Sequence, residues 1–206
     1  MQSSLLVLHG YTMNGETMRE HMSGLASQFP ESVKVVYASA PQHCSTASVD
    51  RFYGGSTLKR LPPPYLTWWD ATDDGTEYRG WEAARDGVRS LVTEHGPVGV
   101  LGFSQGAILA SAIAAWSERG DVPPLRFVIL VAGRVPRATA LQPLFENPIR
   151  VPSLHIWGDR DGMAEGSREL VTRFDEATRE VATWNGTHRV PTEGTAADAI
   201  VRRVRS

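Results

Sequence analysis

The 206-residue chain predicts an α/β fold: a mostly parallel sheet with helices on both faces. Two observations carry this. Short apolar runs alternate along the chain with stretches whose apolar residues recur at helical spacing. The short runs are apolar throughout rather than at every second position, as strands covered on both faces require. No internal repeat and no linker-like stretch divides the chain, so one domain over residues 1–206 is expected.

Residues 5–9 form the first strand-like run, ending in His9-Gly10. Met18, Met22, Leu25 and Phe29 then lie on one helical face, and Pro30 stops that helix. Residues 33–37 are β-branched and aromatic, a second strand. Trp81, Ala84, Val88, Leu91 and Val92 mark a helix that Gly96-Pro97 ends. Residues 98–103 read as a strand and the alanine-rich residues 107–116 as a helix. Strands follow at residues 127–131, closed by Gly133, and at 153–157, closed by Gly158. Leu170, Val171, Phe174 and Ala177 mark a helix, residues 181–184 a last strand, and Ala197, Ile200, Val201 and Val204 a last helix. Parallel sheets bind ligands at the carboxyl ends of their strands. His9, Ser104, Gly133, Asp161 and His188 all follow strands and should share that rim.

Residues 41–80 interrupt the alternation. They hold Gly54-Gly55, Pro62-Pro63-Pro64 and a dense set of aromatics. A loop of that length in a compact fold is usually functional. It is expected to form a flap lining a largely apolar pocket through Tyr53, Tyr65, Trp68 and Trp69. For Trp68 and Trp69 a second reading stands beside the first: they plug the edge of the core.

Composition excludes several classes. The net charge of -2 and the lack of a long basic run argue against nucleic acid. Arg202, Arg203 and Arg205 suit the negative end of a helix dipole. One cysteine, Cys44, permits no internal disulfide, and no apolar stretch is long enough for a membrane span or a signal peptide. A cytoplasmic location is expected. The histidines show no metal-ligand spacing, and no Gly-x-Gly-x-x-Gly follows a strand, so neither a metal nor another cofactor is expected. Asp73-Asp74 with Glu77 reads as a solvated acidic loop, and Cys44 beside His43 lacks the frame of a thiol nucleophile.

The chemistry is concentrated in Gly102-Phe103-Ser104-Gln105-Gly106, between a strand and a helix. A Gly-x-Ser-x-Gly turn in that setting is the nucleophile elbow of the α/β-hydrolase fold. The turn strains the serine backbone and demands small neighbours; Gly102, Gly106, Ala107 and Ala110 supply them. A serine hydroxyl needs a base, usually a histidine held by a carboxylate, and in this fold the chain order is serine, acid, histidine. Only His155 and His188 follow Ser104. His155 sits inside a strand and reads as a core residue. His188 sits in a loop that can reach the rim. The best acid stretch is Gly158-Asp159-Arg160-Asp161-Gly162, directly after a strand, where Asp159 and Asp161 qualify equally. The oxyanion donors expected are the backbone N–H groups of Gln105 and of Tyr11, with Gly10 leaving room for the latter.

Leu8-His9-Gly10-Tyr11, the segment Leu101-Gly102-Phe103-Ser104-Gln105-Gly106-Ala107, Gly158 with Asp161 three residues on, and Gly186-Thr187-His188 with Pro191 resemble the FSH-type family of serine hydrolases. This is an α/β-hydrolase group related to carboxylesterases and acyl-protein thioesterases. Trp68-Trp69 and Val131-Ala132-Gly133 add to the likeness. The resemblance implies Ser104, Asp161 and His188 as a catalytic triad, and favours Asp161 over Asp159. It implies hydrolysis of small-molecule carboxylic esters or thioesters with an apolar acyl group. Lysophospholipid, lactone or peptide hydrolysis on the same residues, or a silent binding module, are the rival readings. The chain departs from the family pattern at Thr187, where a second glycine is usual, and at Arg134, where an aromatic residue is more frequent. Arg134 therefore changes a pocket wall and is counted among the substrate-binding residues.

Overall fold

The computed structural model describes residues 3–54 and 61–206. Six parallel strands form the central sheet: β1 (Ser3–Leu8), β2 (Val33–Ala38), β7 (Gly99–Phe103), β8 (Phe127–Val131), β9 (Ser153–Gly158) and β10 (Arg179–Trp184). Their spatial order is β10-β9-β8-β7-β1-β2. The chain leaves β1 toward one edge and returns at β7 to build toward the other. The order thus reverses between β1 and β7, where open α/β sheets hold their ligands.

The helices α1 (Gly15–Ala26), α3 (Trp81–His95), α4 (Gln105–Arg119), α5 (Ala164–Val171) and α6 (Gly194–Arg205) cover the sheet. Strand alternation sorts the core into two layers. Leu6 and Leu8 face α3 and α4 through Trp81, Val88, Leu109 and Ile113. Leu5 and Val7 face α1 and α6 through Met18, Met22, Ile200 and Val204. A side chain of this size, fully buried, stabilises the fold by about 1.5–3 kcal/mol. The middle strands β1, β7, β8 and β9 are buried nearly throughout, which is why they read as unbroken apolar runs.

Two helices are shorter than their apolar spacing predicts. α1 ends at Ala26, and Phe29 follows in the next turn, still buried. α5 begins earlier than expected and stops at Val171, so Phe174 and Ala177 lie outside it. There Asp175 donates its N–H to Ile149 instead of continuing the helix, and the Arg179 guanidinium satisfies the carbonyls of Val171 and Phe174. The helical spacing of Phe174 reflects a turn that happens to keep the same face buried.

Residues 41–80 carry regular structure that was not expected. They contain β3 (Gln42–His43), paired with β4 (Leu66–Thr67), the helix α2 (Thr46–Tyr53), and a hairpin of β5 (Asp70–Ala71) and β6 (Tyr78–Arg79). Residues 55–60, including Gly55 of the expected flap, lie outside the described residues. Thr139–Phe145 forms a 3-10 turn after β8.

Candidate active site

Ser104 occupies the turn between β7 and α4 with φ 54 and ψ -116. This is a left-handed backbone that a non-glycine residue adopts only under constraint. Packing supplies the constraint. A Cβ at Gly102 would collide with the Gly106 carbonyl, and one at Gly106 with the Leu8 carbonyl. The Ser104 N–H is anchored on Val131 at 2.8 Å.

Three side chains from separate loops converge here. His188 Nε2 lies 2.9 Å from Ser104 Oγ. His188 Nδ1 lies 2.9 and 3.0 Å from the two carboxylate oxygens of Asp161. An ionised carboxylate only accepts, so Nδ1 carries the proton and Nε2 is free to accept from the serine. The Asp161 side chain is 1% exposed and also accepts the Met163 N–H at 2.8 Å. Asp159, which sequence position alone left level with it, is exposed.

The loops carrying Asp161 and His188 are laced together. Arg160 donates its N–H to Gly186, and Asp159 donates to Trp184. A Cβ at Gly158 would strike the Gly186 carbonyl, so the approach depends on that glycine. Thr187 fits without strain, because the described non-glycine residues with positive φ are Thr12, Ser104 and Ala132.

The loop after β1 faces the serine from the other side. A Cβ at Gly10 would sit 3.2 Å from Ser104 Cβ. Tyr11 follows, and Thr12 adopts φ 60 to turn the chain back. Neither the Tyr11 nor the Gln105 N–H donates to another described group. His9 holds the base of this loop. Its Nε2 accepts the Ala40 N–H at 2.9 Å, and its Nδ1–H donates to the Gly10 carbonyl at 2.7 Å. Burial lowers the His9 pKa to about 4, against the raising effect of the Gly10 hydrogen bond, so the ring is neutral.

A family model described as "Serine hydrolase (FSH1)" matches residues 1–200. The chain belongs to that family. It is therefore an enzyme, a serine hydrolase. It is 42% identical over 127 residues to "Esterase OVCA2" of Bos taurus, an alignment spanning 59% of this chain and 55% of that one. With "Esterase OVCA2" of Danio rerio it shares 32% identity over 210 residues, covering 91% and 89% of the two chains. The crystal structure of Zea mays acyl-protein thioesterase 2 superposes with a TM-score of 0.69 at 20% identity, over 99% of this chain and 93% of that one. That likeness shows the shared α/β-hydrolase fold.

Two clefts of this serine hydrolase meet at Ser104, sharing Tyr11 and Phe52 on their walls. The narrow one, about 120 Å3, is mainly apolar and includes His188, Phe103, Tyr53 and Leu61. The wide one, about 770 Å3, runs over Gln105 and Ile108 to Trp69, Tyr78 and Arg134. It also holds Arg51, Arg79, Arg137, Asp70 and Asp73, so the expected largely apolar pocket is instead charged along its outer wall. Phe52, Trp69 and Tyr78 of the flap line it beside these charged groups.

The residues expected to bind substrate therefore divide. Tyr53, Trp69 and Arg134 line the clefts. Tyr65 and Trp68 do not. Tyr65 is half-buried against the Tyr53 ring and donates its hydroxyl to the Leu61 carbonyl at 2.7 Å. Trp68 is 1% exposed, packs its ring on His9 and donates its indole N–H to the His9 carbonyl at 2.9 Å. For Trp68 the core reading holds. Trp69 does both: it is buried, stacked on Tyr78 at 4.7 Å, and still contributes to the wide cleft.

The Gln105 side chain was not anticipated. Its Oε1 accepts the Trp68 N–H and the Thr67 hydroxyl, and its Nε2 donates to the Trp69 carbonyl at 2.8 Å. No sequence signal marks that long-range pairing. Cys44 is half-buried, and burial raises its pKa, so its thiol stays protonated and unreactive.

Proposed function

We propose that this enzyme hydrolyses carboxylic esters or thioesters through an acyl-enzyme on Ser104. Oγ attacks the acyl carbonyl while its proton passes to His188 Nε2. The carbonyl oxygen takes the negative charge between the N–H groups of Tyr11 and Gln105. As the carbon–oxygen or carbon–sulfur bond breaks, Nε2 returns the proton to the leaving group. Water then repeats the sequence, giving a proton to Nε2 and its oxygen to the acyl carbon, and Ser104 is released. Asp161 holds the imidazole tautomer and stabilises its charged form.

The observation that carries this reading is the unbroken hydrogen-bonded line Asp161–His188–Ser104, with contacts of 2.9 Å at both links. The apolar part of the acyl group lies on Ile108, Trp69 and Tyr78. The names of the relatives, esterases and an acyl-protein thioesterase, support the same bond class. A fluorophosphonate probe should label the purified protein and leave Ser104→Ala unlabelled. Equal labelling of both would reject the reading. A panel of matched ester, thioester and amide substrates ranks the bond types.

A further inference from the structure

We propose that the acyl group taken by this enzyme bears an anionic group at its far end, bound by Arg134 and Arg137 in the wide cleft. This rests on the acyl-enzyme reading above and adds a substrate class to it.

The two clefts are chemically unequal, and the mechanism assigns them. The leaving group must receive its proton from His188 Nε2. His188 lines the narrow apolar cleft and not the wide one. The leaving group therefore departs on the narrow side. The acyl chain runs the other way, past Gln105 and Ile108 into the wide cleft.

That cleft carries an excess of positive charge. Four arginines, Arg51, Arg79, Arg134 and Arg137, face two aspartates, Asp70 and Asp73. Among the described residues none of the four guanidinium groups forms an ion pair or a side-chain hydrogen bond. Asp70 and Asp73 pair with none of them. Arg51, Arg79 and Arg137 are exposed and Arg134 is half-buried, so the cleft carries an excess of positive charge that draws an anion.

Arg134 is the sharpest case. It is half-buried, and burial followed by the charge of Arg137 lowers its pKa. It remains a cation, because guanidinium stays protonated in proteins. The half-buried Arg134 and the exposed Arg137 repel each other, and one anion between them, which can be gripped bidentately, relieves that repulsion. Tyr78 completes the arrangement. Its hydroxyl oxygen accepts the Arg137 backbone N–H at 2.9 Å, which leaves its proton to donate into the cleft. The walls thus offer a hydrocarbon track of Ile108, Trp69 and Tyr78 from the serine, then a cationic end.

The test compares two para-nitrophenyl esters of equal chain length, the neutral hexanoate and the adipate half-ester with its terminal carboxylate. For the unaltered enzyme at low salt, kcat/KM for the half-ester should exceed that for the hexanoate by about tenfold or more, the range of charge-assisted hydrogen bonds. Arg134→Gln with Arg137→Gln should bring the ratio to about one. Added sodium chloride should lower the ratio in the unaltered enzyme, a measurement that needs no variant. A mirrored pair, the hexanoyl esters of phenol and of para-hydroxybenzoate, should show no advantage for the charged leaving group.

A ratio at or below one, insensitive to salt, would overturn the proposal. So would an advantage confined to the para-hydroxybenzoate ester, since the anion would then sit on the leaving group. In either case hexanoate turnover that Ser104→Ala abolishes keeps the acyl-enzyme reading intact. Failure to turn over any ester would remove both.

Discussion

The side-chain amide of Gln105 accepts the backbone N–H of Trp68 at 3.0 Å, across 37 residues of chain. Through its other end it donates to the Trp69 carbonyl. The residue that follows Ser104 therefore ties the flap to the elbow. Trp68 extends the tie to His9, and His9 to Gly10. The elbow and the loop after β1 thus hang on one hydrogen-bonded path.

Gln105→Ala keeps the backbone donor and cuts the tie. The Trp68 N–H loses its partner, while the Trp69 carbonyl keeps the Thr67 hydroxyl at 2.6 Å. The expected cost is about 1–3 kcal/mol, that of one unsatisfied buried group. Hydrogen exchange at Trp68 should accelerate at least about tenfold, and KM should rise. Unchanged protection of the Trp68 amide would show that the tie does not hold the flap.

Ser104→Ala and His188→Ala should each lower turnover by roughly three to six orders of magnitude, with melting temperatures near that of the parent. The double variant should be little worse than either single one, because the pair acts as a unit. Near-normal turnover by either single variant contradicts the mechanism.

Asp161→Asn should be crippling and Asp159→Asn mild. Asp161 is buried against His188, and an amide there offers an N–H where the imidazole needs an acceptor. Asp159 is exposed and meets no catalytic group. Side-by-side kcat values decide it, and the reverse ranking would move the acid to Asp159.

Acid should destabilise the fold through two core histidines. Burial lowers the pKa of His9 to about 4; burial and then the Arg179 charge lower that of His155 to about 3. In the unfolded chain both take up protons near the ordinary value of about 6.5. The folded values lie below the unfolded one. The stability these rings contribute is therefore complete above about 6.5 and is lost as pH falls toward about 4 and 3. Thermal melts across that window should slope downward, and His155→Asn should flatten the slope. A parent melting temperature that stays constant from pH 6.5 to 4 would exclude the effect.

Much of this enzyme is legible in residue order. Unbroken apolar runs at β1, β7, β8 and β9 announce strands covered on both faces, because burial on two sides removes every polar position. The Gly-x-Ser-x-Gly turn announces its own geometry, because only small residues let strand and helix approach so closely. His188 is legible because chain order leaves few histidines to choose from.

Other features needed the folded chain. Asp159 and Asp161 stand two residues apart in equivalent positions; only the lacing of their loop to Gly186 turns one inward and the other out. Adjacent tryptophans look alike on paper, yet one packs on His9 and the other flanks the cleft, each held by partners distant in sequence. The charged wall of the wide cleft gathers Arg51 from a helix end, Arg79 from the β5–β6 hairpin, and Arg134 and Arg137 from the loop after β8. Local chemistry is written in short stretches that specify themselves, whereas the pocket is made by contacts between stretches far apart, whose distances no local pattern encodes.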